Sequence, residues 1–213
     1  MSGIKISPNF YQKDWQDLSL DKNSNDWDTA IEIFKDRIEG RYFKQIDVLD
    51  NNPNRKIGLF SGFVIMSITC LLIETLEQFW TGNVQSSRKK KHETDTSSDS
   101  KVFFSLFQRS DKLGAFFDTE EKANVFYTKI RCGLLHQGQT KGKSLIHIRN
   151  SEPMLKWINE KDIYEGLSIN RRKFLKEIKI VYESYLTELE KPHNLNFRKK
   201  TLLKKMDYIV NQK

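Results

Sequence analysis

The sequence is poor in cysteine and proline, and both shortages narrow the classes of protein to which it can belong. Its two cysteines, Cys70 and Cys132, fall inside helical patterns, which indicates reduced thiols in an intracellular protein rather than a disulfide framework. Two of its four prolines, Pro53 and Pro192, stand where helical patterns end. The amino-terminal residues contain no long apolar run, so no secretory signal is predicted and the protein is expected in the cytoplasm.

Positive charge exceeds negative charge in this chain. Its 213 residues carry a formal net charge of +8, and the pI is about 9.3. This excess favours a polyanionic partner such as RNA, DNA or an acidic membrane surface, although many basic domains bind no nucleic acid. Hydrophobic residues make up 38% of the chain and charged residues 30%, which is typical of a soluble, helix-rich domain with a core of its own.

One uncharged stretch, residues 57–73, is 17 residues long and reaches the lower limit for a helix that crosses a membrane. Glycine, serine and threonine dilute it, and Glu74 and Glu77 follow directly. We therefore favour a buried central helix of a soluble bundle, with no membrane association. A membrane-associated effector that uses this stretch is kept as an alternative.

Apolar residues recur at helical spacing in four to five main segments, which predicts an all-α bundle formed by a single domain, residues 27–213. An amino-terminal arm, residues 1–26, precedes this domain. Residues 83–100 are polar without apolar periodicity and predict a mobile loop. Residues 102–107 fit a short helix or a strand, and residues 144–148 fit a short extended segment. The other main helices are predicted at 29–49, 57–80, 171–190 and, within a basic carboxyl-terminal segment 194–213, at 197–210.

The stretch 120–142 begins as an amphipathic helix that Thr119 can cap, and it ends in a polar, glycine-bearing segment. Arg131 and His136 lie on the last turns of this helix or just past it. Five positions on a regular helix turn the chain by about 140°, so the two side chains do not share a face. Either a break near Gly133 or the length of the arginine side chain must bring them together.

These two residue types suit the cleavage of RNA without a metal. The reaction needs a base for the proton of a 2′-hydroxyl, an acid for the leaving 5′-oxygen and a cation for the charge on the phosphorus group. His136 can act as base or acid near neutral pH, and Arg131 can hold two phosphate oxygens at once. A lone histidine near a helix end is, however, more often an ordinary surface residue, so spacing alone leaves both interpretations open.

The same stretch resembles the HEPN superfamily of all-α ribonucleases, whose members carry an arginine, four to six residues and then a histidine on a helix of a compact bundle. The resemblance rests on Arg131 and His136, on apolar Ile130 and Leu134 beside them, and on the long-helix layout over residues 29–190. It implies a HEPN-like helical bundle in which two subunits pair, so that both motifs line one cleft. It also implies a microbial toxin or antiviral defence effector that acts on RNA, with an antitoxin or a defence-system protein as a further partner.

One position departs from the family's pattern. A polar Asn, Asp or His usually follows the arginine, whereas Cys132 stands there in this sequence. Two hypotheses therefore stay open. The first is a metal-independent endoribonuclease acting as a homodimer, in which Arg131 holds the scissile phosphate and His136 transfers protons. The second is a non-catalytic HEPN-like module that binds RNA or a partner protein.

Basic residues close to the motif are the candidates for further RNA contacts. The basic run at 88–92 could also contact phosphates, but a solvated loop explains it equally well. Cys132 and His136 share a helix face, yet no second Cys/His pair supplies the three or four ligands of a zinc site, so no metal and no cofactor are expected. The predicted RNA-binding residues are Lys129, Lys141, Lys143 and Arg149.

Overall fold

A computed structural model of the chain describes residues 3–21, 24–84, 97–191 and 196–211, except for the side chains of 97–99. The protein is mostly helical and contains one small three-stranded sheet. The α-helices are α1 (Gln12–Gln16), α2 (Asp26–Ile38), α3 (Lys44–Asp50), α4 (Arg55–Phe60), α5 (Gly62–Thr81), α6 (Ser97–Phe107), α7 (Asp111–Phe116), α8 (Glu120–Phe126), α9 (Cys132–Gln137), α10 (Arg171–Glu190) and α11 (Phe197–Val210). Wider π-helical turns, Glu39–Phe43 and Tyr127–Arg131, join α2 to α3 and α8 to α9, and a 3-10 turn spans Ile163–Glu165. The strands are β1 (Leu145–His147), β2 (Leu155–Trp157) and β3 (Leu167–Asn170).

Helix α5 is the centre of the bundle, because α3, α6, α10 and α11 all pack against it. Aromatic side chains fill the space between these helices. The ring of Phe79 on α5 meets the ring of Phe34 on α2 edge to face, with centroids 4.7 Å apart. The hydroxyl of Tyr185 on α10 donates to the backbone carbonyl of Phe79 at 3.2 Å. This buried phenol therefore also links α10 to the end of α5.

The uncharged stretch 57–73 lies mostly in α5. Within the described residues, α5 is the one helix long and apolar enough to cross a membrane. Of its most apolar window, 56% is buried inside the protein. More than half of this window is thus buried, as in a core helix. The sequence favours this interpretation over a membrane segment.

The helix predicted over residues 57–80 is broken at Ser61, which separates α4 from α5. The break brings Gly62 against a buried arginine: a Cβ atom at position 62 would lie 2.7 Å from Nη1 of Arg171. Arg171 is 3% exposed and binds Asp50 of α3 at 2.7 Å. The break therefore accommodates a buried ion pair between α10 and α3, which local helical periodicity does not reveal.

The sheet corrects the expectation of an all-α fold. Strand β1 is the extended segment predicted at 144–148. It pairs in parallel with β3, and β2 pairs with β3 in the antiparallel direction. Strands β2 and β3 fall in or beside residues 153–157 and 163–167, which the sequence pattern assigns to a connector. Leu155 and Trp157 are buried on one side of β2, but a strand of three residues is too short to show an alternating pattern.

The mobile loop is predicted over residues 83–100, but α6 begins at Ser97, so residues 97–100 belong to a helix. The central part of that prediction, residues 85–96, lies outside the described residues. The ambiguous apolar run 102–107 belongs to α6 and is therefore helical. Its aromatic side chains enter the core, where the ring of Phe107 stacks on that of Phe117 at 4.4 Å.

The amino-terminal arm, predicted as residues 1–26, packs on the carboxyl-terminal helix. Trp15 of α1 is 4% exposed, and its indole Nε1 donates to Oδ1 of Asp207 on α11 at 2.9 Å. The side chain of Gln12 donates to the carbonyl of Val210 at 2.7 Å. The two ends of the described chain thus stabilise each other.

Candidate active site

The motif lies on one continuous helix made of α8, the π-helical turn Tyr127–Arg131 and α9. Its first turn is capped as predicted, because the hydroxyl of Thr119 accepts from the backbone N–H of Lys122 at 3.3 Å. It ends at Gly138, whose φ of 67° is left-handed and suits glycine. The sequence prediction of both ends is confirmed.

After the motif, the chain turns back and runs along the helix from which it came. The carbonyl of Lys129 accepts from the backbone N–H of Lys141 at 2.9 Å, so the segment after Gly138 returns along the helix. This return depends on Gly133, because a Cβ atom there would lie 2.5 Å from the carbonyl oxygen of Gln139. π-Helical turns such as Tyr127–Arg131 occur often at functional sites.

Arg131 is held by a carboxylate from α5. Its Nε donates to Oε1 of Glu74 at 2.8 Å, and the two side chains are 19% and 14% exposed. The guanidinium carbon also lies 5.3 Å from the centre of the Tyr127 ring. Burial disfavours the charged form, but the hydrogen bond and the negative charge of Glu74 outweigh it and raise the pKa of Arg131. Arg131 is therefore a fixed cation whose orientation is set by α5.

His136 meets Arg131 at the end of the helix. The Nη1 atom of Arg131 lies 3.4 Å from Nε2 of His136. An arginine can only donate, so a hydrogen bond in this contact requires Nε2 to accept. Helix α9 runs through Gly133 without a break, so the reach of the arginine side chain, and not a break, joins the two groups. His136 is exposed to solvent, which leaves its imidazole open to a substrate.

Of the predicted RNA-binding lysines, Lys141 and Lys143 lie along the returning segment, whereas Lys129 lies on the π-helical turn, two positions before Arg131. Lys129 extends toward Gly142, and its Nζ would be 3.4 Å from a Cβ atom at that position. Lys143 binds Glu165 at 2.7 Å, and this hydrogen bond raises the pKa of the lysine. Lys141 is half-buried against the motif helix.

Arg149, the fourth predicted RNA-binding residue, lies just beyond β1. Its side chain is exposed, and its backbone N–H donates to Nδ1 of His147 at 3.2 Å. Burial and then the positive charge of Arg149 lower the pKa of His147. The structure therefore brings Arg131 and His136 into contact, whereas Lys143 and the backbone of Arg149 contact Glu165 and His147.

Glu74 is the site residue that sequence reasoning missed. It was interpreted only as the polar end of an apolar run, because its partner lies 57 positions away. Its signal is a carboxylate, one of two with Glu77, on an otherwise mostly apolar helix. Among the described residues, no group of three or more His, Cys, Asp or Glu side chains could hold a metal ion.

Comparison with protein-family models, with curated proteins and with solved structures gave no match for this chain. The resemblance to HEPN proteins therefore rests on Arg131, His136 and the helical layout. The function must be argued from the geometry of the site itself.

Proposed function

We propose that the protein is a metal-independent endoribonuclease of HEPN type that cuts RNA by attack of a 2′-oxygen on the adjacent phosphorus. One observation carries this proposal: Nη1 of Arg131 lies 3.4 Å from Nε2 of His136, which places a fixed cation and a proton-transferring group at one exposed spot. General acid–base catalysis and charge stabilisation are the two contributions that this reaction requires of a protein.

In the proposed reaction, the imidazole of His136 leaves its contact with Arg131 and takes the proton of the 2′-hydroxyl. The 2′-oxygen then forms a bond to phosphorus, and the bond from phosphorus to the 5′-oxygen breaks as that oxygen takes a proton from the protonated His136 of the second chain in the homodimer proposed below. Arg131 binds the non-bridging oxygens, on which negative charge accumulates. Because Nε of Arg131 binds Glu74 and Nη1 contacts His136, Nη2 is the donor proposed to bind the phosphate, and Nη1 joins it once His136 turns to the 2′-hydroxyl.

The chemistry predicts the ends of the products. Cleavage should leave a 2′,3′-cyclic phosphate and a 5′-hydroxyl, and it should continue in EDTA, because no metal takes part. End-group analysis of a labelled single-stranded RNA incubated with the purified protein tests this directly. Products with a 5′-phosphate, or activity that EDTA abolishes, would contradict the proposal.

We also propose that the protein acts as a homodimer. The reaction involves two proton transfers, whereas each chain offers one histidine at the site. Exposed apolar residues on α4 and α5 support pairing: Phe60 is 82% exposed, Val64 is 53% exposed and Leu71, one turn before Glu74, is 43% exposed. Val64 and Leu71 lie seven positions apart on one face of α5, and exposed apolar patches commonly mark a protein interface.

Light scattering at micromolar concentration should therefore give about twice the mass of one chain, which is 25.2 kDa. Leu71→Lys should weaken pairing by placing a charge in the interface, whereas Ile180→Lys, at an apolar residue of α10 that is 42% exposed, should not. A monomeric wild-type protein that still cleaves RNA would rule out the composite site.

A second candidate function is a non-catalytic module that binds RNA or a partner protein. The observation that favours it is Cys132, which follows the arginine where the family has a polar residue. In either case a role in the cytoplasm as a toxin or an antiviral defence effector, with an antitoxin or defence-system partner, follows from the resemblance alone. A wild-type protein that binds RNA but does not cleave it would favour this module.

A further inference from the structure

Three arginines from three different parts of the chain dock on successive turns of α5. Arg131 binds Glu74, Arg109 binds Glu77, and Arg198 binds the backbone carbonyl of Trp80. Positions 74, 77 and 80 are three residues apart, so each docking point lies about 4.5 Å farther along the helix axis than the previous one. The sequence gives no sign of this series, because its members are distant from one another in the chain.

Arg109 is held firmly and keeps donors to spare. Its Nε and Nη2 atoms each donate to a carboxylate oxygen of Glu77 at 2.9 Å, and Ser105 donates to the same carboxylate at 2.7 Å. The Glu77 side chain is 5% exposed, but the Arg109 side chain is 23% exposed. The Nη1 group of Arg109 is thus left for a further acceptor, at a position that a ligand can reach.

Trp80 brings Arg109 and Arg198 together. The two guanidinium carbons lie 4.6 Å and 4.4 Å from the centre of its ring. Burial and then the positive charge of Arg109 lower the pKa of Arg198, as expected for two cations at close range. The indole Nε1 of Trp80 is buried and has no hydrogen-bond partner among the residues that the structure describes.

Among the described residues, this cluster has more donors than acceptors. Arg109 donates to the carboxylate of Glu77, Arg198 donates to a backbone carbonyl, and the indole N–H of Trp80 has no acceptor. The last carbonyls of α5, which would repel an anion, are already bound: Tyr185 donates to Phe79 and Arg198 donates to Trp80. An anionic ligand at the exposed part of this cluster would supply acceptors for the two guanidinium groups.

We infer that Arg109 and Arg198 bind backbone phosphates of the RNA strand whose scissile phosphate lies at Arg131. This inference rests on the proposed function and extends its site along α5. Guanidinium groups suit this role because they bind phosphate oxygens in pairs and are weakly hydrated. The RNA path then follows α5 toward Trp80 rather than the returning segment that carries Lys141 and Lys143.

Salt dependence of binding tests the inference. The probe is a single-stranded RNA with 2′-O-methyl groups, which cannot be cut through its 2′-oxygen. Each phosphate contact that is lost should reduce the slope of log affinity against log salt by about 0.7. Arg198→Gln should show this reduction, and Lys200→Gln, an exposed cation on the same helix, should show none.

Arg109 requires a variant that does not leave Glu77 buried and unpaired. The double variant Glu77→Gln/Arg109→Gln removes both charges, and its matched control, Lys35→Gln/Glu190→Gln, removes an ion pair of 2.7 Å between α2 and α10. Arg109→Lys keeps the ion pair and should retain part of the slope. Thermal melting checks that each variant is folded.

The possible results separate the two proposals. Reduced slopes in the Arg198 and Arg109 variants, but not in their controls, would support the inference. If the wild-type protein binds the probe and these variants bind with the same slope, the inference is wrong and the endoribonuclease proposal stands. If the wild-type protein neither binds the probe nor cleaves unmodified RNA, both are wrong.

Discussion

Replacing His136 with alanine is expected to slow RNA cleavage by about 10²–10⁴-fold, the usual contribution of a side chain that transfers a proton in the transition state. The imidazole is exposed, and it contacts Arg131 only through Nε2. Its removal should therefore leave the fold intact. The loss should appear in the rate of the chemical step and not in the affinity for RNA.

His147 provides the matched control. It lies on β1, is half-buried, and its Nδ1 accepts from the backbone of Arg149. Single-turnover rates with saturating protein should fall for His136→Ala and stay near the wild-type rate for His147→Ala. If both variants cleave as fast as the wild-type protein, His136 is not the proton-transferring group.

Part of the fold follows directly from the sequence. Helices α10 and α11 have the bounds that the sequence predicts, because apolar residues recur at helical spacing in each and Pro192 follows the first. The side chain of Asn170 accepts from the N–H of Lys173 and caps α10. Strong local signals of this kind need no information from the rest of the chain.

The features that the sequence did not reveal depend on distant residues. The break at Ser61 accommodates Arg171, which is more than a hundred positions away. Strand β3 pairs with β1 although β2 lies between them in the sequence, so β3 cannot be recognised from its own four residues. The extended segment predicted at residues 144–148 contains β1, and it is the part of the sheet that the sequence indicates.

The same distinction applies to the candidate site. Arg131 and His136 could be selected because they lie five positions apart on one helix. Glu74, Arg109 and Arg198 could not, since each acquires its meaning only through α5 packing against another part of the chain. A sequence motif thus identifies the two groups proposed to react, whereas the tertiary fold identifies the residues that surround them.

The last prediction concerns Arg131 and the carboxylate that orients it. Arg131→Ala should slow cleavage by about 10²–10³-fold, because it removes the donor that stabilises charge in the transition state. Arg131→Lys should recover little of this rate. A lysine can keep the ion pair with Glu74, but it has no planar guanidinium that can bind Glu74 through one edge and the phosphate through another.

Glu74→Gln is the informative companion to these variants. It keeps an oxygen that can accept from Nε of Arg131 and removes only the negative charge, so it should slow cleavage less than Arg131→Lys does. Single-turnover rates and RNA affinities, measured together with melting temperatures, separate the effects on chemistry, binding and folding. If Arg131→Lys cleaves at the wild-type rate, positive charge alone is sufficient and the two-edged contact with Glu74 and the phosphate is not needed. If the wild-type protein shows no cleavage and Arg131→Ala loses RNA affinity, the motif serves binding and the non-catalytic module is the correct function.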